Sequence, residues 1–179
     1  MFSIAEKLFP ARTRRRAIAR QLHAQIIAEA RRQELFGDAR IKDDVDGRVA
    51  AISIFSSFVT LRLSQADEDG KAIADLLTAQ IFEGFDAALR ETGVGDASIS
   101  RKVRKLGEAF VGIGVAVNEA LAGETPKDDL EDVLIRNQIV QPEGSEAVAR
   151  HIMLAHSNLM KRSMEDIRNP QADQPLFKA

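Results

Sequence analysis

The chain of 179 residues contains no cysteine, no tryptophan and no tyrosine. Without cysteine there is no disulfide, no thiolate metal ligand and no cysteine nucleophile, a composition compatible with a reducing compartment. The nine phenylalanines stand beside neither Trp nor Tyr, so they read as core filler rather than as polar-tipped ligand contacts. Long apolar runs are missing too. The most apolar piece, Val49 to Leu61, lies between Arg48 and Arg62 and is interrupted by Ser53, Ser56, Ser57 and Thr60. A membrane span needs about 20 mostly apolar residues, so this is a core helix. The net charge of −2 excludes a chain that attracts nucleic acid as a whole. Local patches have to carry any such role.

What is present suits one globular domain. Hydrophobic residues are 45% and charged residues 29% of the chain, and a chain of this length buries about 70% of its extended surface. Apolar residues recur at helical spacing almost throughout. The predicted fold class is all-α, a single helical bundle of about six to seven helices with a central helical hairpin. Three parts are expected: a basic amphipathic N-terminal segment (1–16), the helical domain (17–168) and a loose C-terminal tail (169–179) into which Leu176 and Phe177 dock. One helix is predicted over Thr13–Phe36 with Gly37 as its cap, and another over Asp46–Ser64, apolar nearly all round and therefore central. A third covers Lys71–Glu91, a short one begins at Pro126, and the last runs from Pro142 to Arg168. Its methionines, Met153, Met160 and Met164, are expected in the core.

The N-terminus is basic. A short helix over residues 1–9 is followed by Arg12, Arg14, Arg15, Arg16 and Arg20, with Lys7 upstream. One reading is a solvated basic turn. The other is a foot for an anionic surface, lipid headgroups or ribosomal RNA, with each basic residue near an anionic membrane worth about 1 kcal/mol. No apolar run follows the arginines, which excludes a secretory or twin-arginine signal. The chain is expected in a bacterial cytoplasm, peripheral at the inner membrane, or on the matrix side if it is mitochondrial.

Candidate chemistry is sparse. Asp43-Asp44-Val45-Asp46-Gly47 has the look of a calcium loop, but aligning Gly47 with the invariant glycine puts Lys42 at position one and Ser53 at position twelve. Asp67-Glu68-Asp69-Gly70 fails likewise, and both acidic runs read as caps and turns. His151 and His156 are five apart, off a common helix face, and His23 stands alone. No nucleophile elbow, phosphate loop or acid/base constellation is visible. The expectation is no enzyme, no cofactor and no metal.

The organising stretch runs from Gln80 to Leu121. Ile81, Phe82, Phe85, Ala88 and Leu89 build one helical face; Thr92 to Asp96 form a glycine-rich turn; Ile99, Val103, Leu106, Phe110, Val117 and Leu121 repeat the stripe. Asp96 or Ser98 suits the N-cap. Arg101, Lys102, Arg104 and Lys105 form a basic knuckle. Gly107, Gly112 and Gly114, unfavourable inside a helix, read as points of close helix approach.

The run Leu89-Arg90-Glu91-x-Gly93-Val94-Gly95-Asp96, then Lys102-Val103-x-Lys105 and Glu108-Ala109-Phe110-x-Gly112, resembles the ubiquinol–cytochrome c chaperone family. Asp44-x-Asp46-Gly47-Arg48 fits the same pattern, and the resemblance covers roughly Phe36 to Leu121. The family's "FYGR" segment is replaced in part: Val111 and Ile113 stand where its tyrosine and arginine do. The resemblance implies a non-enzymatic assembly chaperone for the cytochrome b subunit of respiratory complex III. Its partner-binding candidates are Arg90, Glu91, Gly93, Gly95, Asp96, Arg101, Arg104 and Lys105, although Arg90 has a helix partner in Asp86 at i, i+4. The alternative is a helical adaptor that binds ribosome or nucleic acid through the basic N-terminus and the Arg101–Lys105 patch.

Overall fold

The least charged segment of the chain becomes the centre of the molecule. The structure, a computed structural model, describes residues 10–91, 96–171 and 174–178, without the side chains of 91 and 96–100. Among these residues there are seven α-helices: α1 (Pro10–Ala30), α2 (Val45–Ser64), α3 (Glu68–Glu91), α4 (Asp96–Ala122), α5 (Pro126–Arg136), α6 (Pro142–Lys161) and α7 (Met164–Arg168). Helix α2 packs against α1, α3, α4 and α6, and its Phe55 and Phe58 are buried edge to face with ring centroids 6.2 Å apart. That central place explains an apolar circumference.

The serines that interrupt this apolar helix are mostly satisfied within it. Ser53 Oγ donates to the Val49 carbonyl and Ser57 Oγ to the Ile54 carbonyl, each at 2.7 Å. Ser57 Oγ also accepts from Asn118 Nδ2 at 2.8 Å, tying α2 to α4. A Cβ at Gly114 would stand 3.0 Å from Ser57 Cβ. Here the expected close approach of helices is present.

The two acidic runs cap helices. Asp44 accepts from the Gly47 amide at 2.8 Å at the start of α2, and Asp67 accepts from the Gly70 amide at 2.8 Å at the start of α3. Gly47 is required by space: a Cβ there would lie 2.0 Å from the Lys42 carbonyl oxygen.

Four expectations need correction. The first helix ends at Ala30, not Phe36, and a 3-10 turn follows at Gln33–Leu35. Leu35 and Ile41 are both fully buried. The chain reverses between them, with Ile41 donating to the Leu35 carbonyl at 3.1 Å and Gly37 at φ +154° inside the turn. Second, the arginines from Arg12 to Arg20 belong to α1 itself, which opens at Pro10 and runs without a break past residue 16. They do not form a turn. Proline suits the first helical position because its missing N–H would be unpaired there. The short helix expected over residues 1–9 lies outside the described residues.

Third, the last helix is two helices. The Arg62 guanidinium donates to the Leu159 and Arg162 carbonyls and so closes α6. Ser163 then opens α7 in a reciprocal cap, accepting from the Asp166 amide while the Asp166 carboxylate accepts from the Ser163 amide. Of the methionines expected in the core, Met153 and Met164 pack against it, but Met160 is exposed.

Fourth, the C-terminal segment is held at several points. Leu176 and Phe177 are buried, as their expected docking requires, with the Phe177 ring centroid 5.5 Å from that of Phe55. Asn158 Nδ2 donates to the Phe177 carbonyl at 3.1 Å, and Gln25 Oε1 accepts from the Leu176 amide at 2.8 Å.

Candidate functional site

The α3–α4 hairpin is pinned by three phenylalanines. Phe82 lies 5.8 Å from Phe85 and 5.4 Å from Phe110, all in edge contacts, and Phe85 lies 6.3 Å from Phe110. Gly107 admits the Phe82 ring, whose Cε1 would be 3.1 Å from a Cβ at that position. Gly112 departs from the expected role: no atom lies within 4 Å of where its Cβ would be. It faces solvent.

Beyond the aromatic pin the exposed face of α4 carries charge and then apolar surface. Arg101, Lys102, Arg104 and Lys105 are exposed. Arg104 pairs with Glu108 at 3.5 Å, a surface contact worth little. Among the described residues no ion pair forms at Arg101, Lys102 or Lys105. Further along, Val111 and Val115 are 59% and 52% exposed. Arg104, Glu108, Val111, Gly112 and Val115 share one face by helical spacing. Val115 was not among the sequence candidates, yet its i, i+4 relation to Val111 on a charged face marks it.

Beside this face is a cleft of about 390 Å³ lined by Asp44, Asp46 and Gly47 on one side and Lys105, Leu106 and Ala109 on the other, with Gln138 at the end of α5. Two segments separated by some sixty residues therefore meet. Gln138 sits at φ +57°, a left-handed conformation that non-glycine residues adopt uncommonly. Its neighbour Ile139 donates back to the Leu134 carbonyl at 2.9 Å, closing α5.

The remaining candidates fall elsewhere. Arg90 pairs with Asp86 at 2.8 Å, as an ordinary i, i+4 pair does. Glu91 ends α3 and Asp96 opens α4, with their side chains outside the description, as is the Ser98 side chain; Gly93, Gly95 and Lys7 lie outside the described residues. In α1, Arg12, Arg16 and Arg20 are exposed at successive i, i+4 positions, and Arg14 is exposed on another side. Arg15 instead turns to Asp69, Nε to Oδ1 2.6 Å, and ties α1 to α3.

The histidines are spread through the bundle. His151 Nε2 lies 2.7 Å from Glu29 Oε1, and Glu29 is buried. His156 packs edge-on to Phe58 at 5.0 Å. Burial, then the nearby Arg62, pushes its pKa down; burial, then Arg31, does the same to His23.

With this arrangement in place, comparison with known proteins decides the family. The family model of the ubiquinol–cytochrome C chaperones matches residues 38–173. The chain belongs to that family. The match takes in the Asp44–Gly47 corner, α2, the whole α3–α4 hairpin and the α5–α6 pair, and leaves all of α1 outside. Among solved structures, the crystal structure of a Cbp3 homolog from Brucella abortus is similar, with a TM-score of 0.73 and 20% identity over 93% of each chain. At that identity the likeness is one of fold. A comparison with curated proteins finds no match. As a member of the ubiquinol–cytochrome C chaperone family, the chain is a chaperone-type protein of respiratory complex III assembly.

Proposed function

We propose that this protein binds the newly made cytochrome b subunit of complex III and holds it during assembly, without catalysing a reaction. The outer face of α4 is the contact. The observation that carries this reading is the exposed pair Val111 and Val115 next to Arg101, Lys102 and Lys105, which form no ion pair among the described residues. A membrane subunit awaiting insertion offers apolar helix surface together with charged loops, and a face combining both properties is complementary to it. Gly112, open to solvent, lets a partner backbone come close.

The exposed arginines of α1 fit a location at the membrane surface. Arg12, Arg16 and Arg20 form one row, and three such charges near an anionic leaflet contribute about 1 kcal/mol each. This gives weak, reversible attachment, suited to a protein that must leave its client.

The test is a difference absorption spectrum of membranes from a strain lacking the gene, compared with the parent. Selective loss of the complex III cytochrome b signal, with oxidase haems retained, is the expected result. An unchanged spectrum, under growth conditions where complex III is made, would reject the assignment.

A further inference from the structure

A second cleft, of about 410 Å³, opens between α1, α2 and α3, and α4 contributes no residue to it. Its walls are apolar: Ile27 from α1, Val49 and Ile52 from α2, Ile81 and Phe85 from α3. Val45 stands exposed at its edge. The polar side chains that line it are His23, Arg31 and Arg48, and no carboxylate does among the described residues. The volume and the mix of apolar wall with a few polar groups match small-molecule sites, which run about 300–1,000 Å³.

Three features of the cleft go unused by the fold. Arg31 is exposed and makes no side-chain hydrogen bond or ion pair among the described residues. Arg48, which lines the cleft, engages Asp43 through Nε at 2.7 Å, and its terminal nitrogens make no ion pair among the described residues. His23 is half-buried, makes no hydrogen bond among the described residues, and has its pKa pushed down by burial, then by Arg31. Gly84 is the fourth oddity. It lies inside α3, where glycine is among the least favoured residues, and nothing lies within 4 Å of where its Cβ would be. Helix packing therefore does not require it, and the position leaves the cleft wall open.

We propose that this cleft binds a long-chain fatty acid, its alkyl chain against the α1–α3 walls and its carboxylate on Arg31. A guanidinium and a carboxylate pair bidentately, and Arg31, without a partner among the described residues, suits one negative head. A client helix in this cleft is the rival occupant that the experiment below distinguishes. The site is separate from the α4 face, so a bound acyl chain and a client do not compete for the same residues.

The experiment uses the purified full-length protein and cis-parinaric acid, an intrinsically fluorescent fatty acid, with palmitic acid and hexadecanol as competitors. Saturable one-to-one binding is expected, displaced by palmitic acid at lower concentration than by hexadecanol. Arg31→Ala weakens palmitic acid about tenfold and leaves hexadecanol unchanged. Gly84→Phe abolishes binding, whereas Gly84→Ala retains it. If Gly84→Phe melts early, Val45→Trp, at an exposed position on the edge, is the second blocking variant. Absence of saturable binding would overturn the proposal. So would binding indifferent to both blocking variants, or binding of phosphatidylglycerol vesicles or a membrane-helix peptide, sensitive to Gly84→Phe, without binding of the free acid.

Discussion

Glu29 on α1 places Oε1 2.7 Å from Nε2 of His151 on α6, and so links the first and penultimate helices through a buried carboxylate. Arg32 approaches the second oxygen at 3.8 Å. Removing either partner leaves a polar group without its hydrogen bond inside the protein. Glu29→Ala and His151→Ala are each expected to destabilise by about 1–3 kcal/mol. The double variant should cost less than the sum of the two, with a coupling of about 0.5 kcal/mol or more. Urea unfolding of the four proteins measures this. Strict additivity would show that the contact contributes nothing.

The three glycines of α4 separate packing from exposure. Gly112→Ala fills open space and gains helix propensity, so it should stabilise by up to about 1 kcal/mol. Gly114→Ala places a methyl 3.0 Å from Ser57 Cβ in the core. Helices α2 and α4 must move apart, and overpacking of this kind costs about 1–3 kcal/mol. Gly107→Ala meets the half-buried Phe82 ring at 3.1 Å, which can turn, so it should fall between the two. The order of melting temperatures, Gly112→Ala highest and Gly114→Ala lowest, is the prediction. If Gly112→Ala also weakens client binding while raising stability, close approach of a partner at α4 follows.

Much of this was legible in the residue pattern, for physical reasons that differ from place to place. The apolar pattern of Val49–Leu63, broken mainly by small hydroxyl residues, points to burial of most of the helix, and α2 is central. The phenylalanines at helical spacing meet as an aromatic cluster. Chain ends and breaks were less visible. The division between α6 and α7 depends on Arg62, about a hundred residues earlier, reaching the Leu159 carbonyl. After α1 ends at Ala30, the chain reverses with Ile41 bonding back to Leu35. The first of these signals is not local. The same applies to the site: the basic knuckle is evident in sequence, but the cleft joining Lys105 to Asp44 and Asp46 needs the fold. Glycine spacing does not tell which of Gly107, Gly112 and Gly114 faces inward, because that depends on helix rotation set by distant contacts.

Asp67 caps α3 and binds Arg168 of α7. The hydrogen bond from Arg168, then that from the Gly70 amide, holds its carboxyl below the usual range. An acid with a lower pKa in the folded state stabilises fully above its unfolded value, about 4. That contribution is lost as pH falls through the folded value. Asp43, Glu34, Glu146 and Asp166 are shifted in the same direction. The melting temperature should therefore decline below about pH 4. Asp67→Asn should melt lower at neutral pH and decline less steeply in acid. An unchanged acid slope in that variant would assign the acid sensitivity to the other carboxyls.

Charge reversal at Arg101, Arg104 and Lys105 tests the α4 face directly. All three are exposed, and the one ion pair they make among the described residues, Arg104 with Glu108, lies on the surface. Surface charges of this kind contribute within about 1 kcal/mol of stability, so the triple variant to Glu should keep its helicity and its melting temperature. Client association should weaken, mainly through a slower on-rate, and the wild-type advantage should shrink as salt rises because rim charges act through screened, long-range attraction. Pairing this variant with Val111→Asp and Val115→Asp divides the face into its two parts. If the interface is one surface, the aspartates raise the dissociation rate and the reversed charges lower the association rate. A fall in melting temperature of the charge-reversed protein would instead place those side chains in the structural framework, and the client contact would have to lie elsewhere on the bundle.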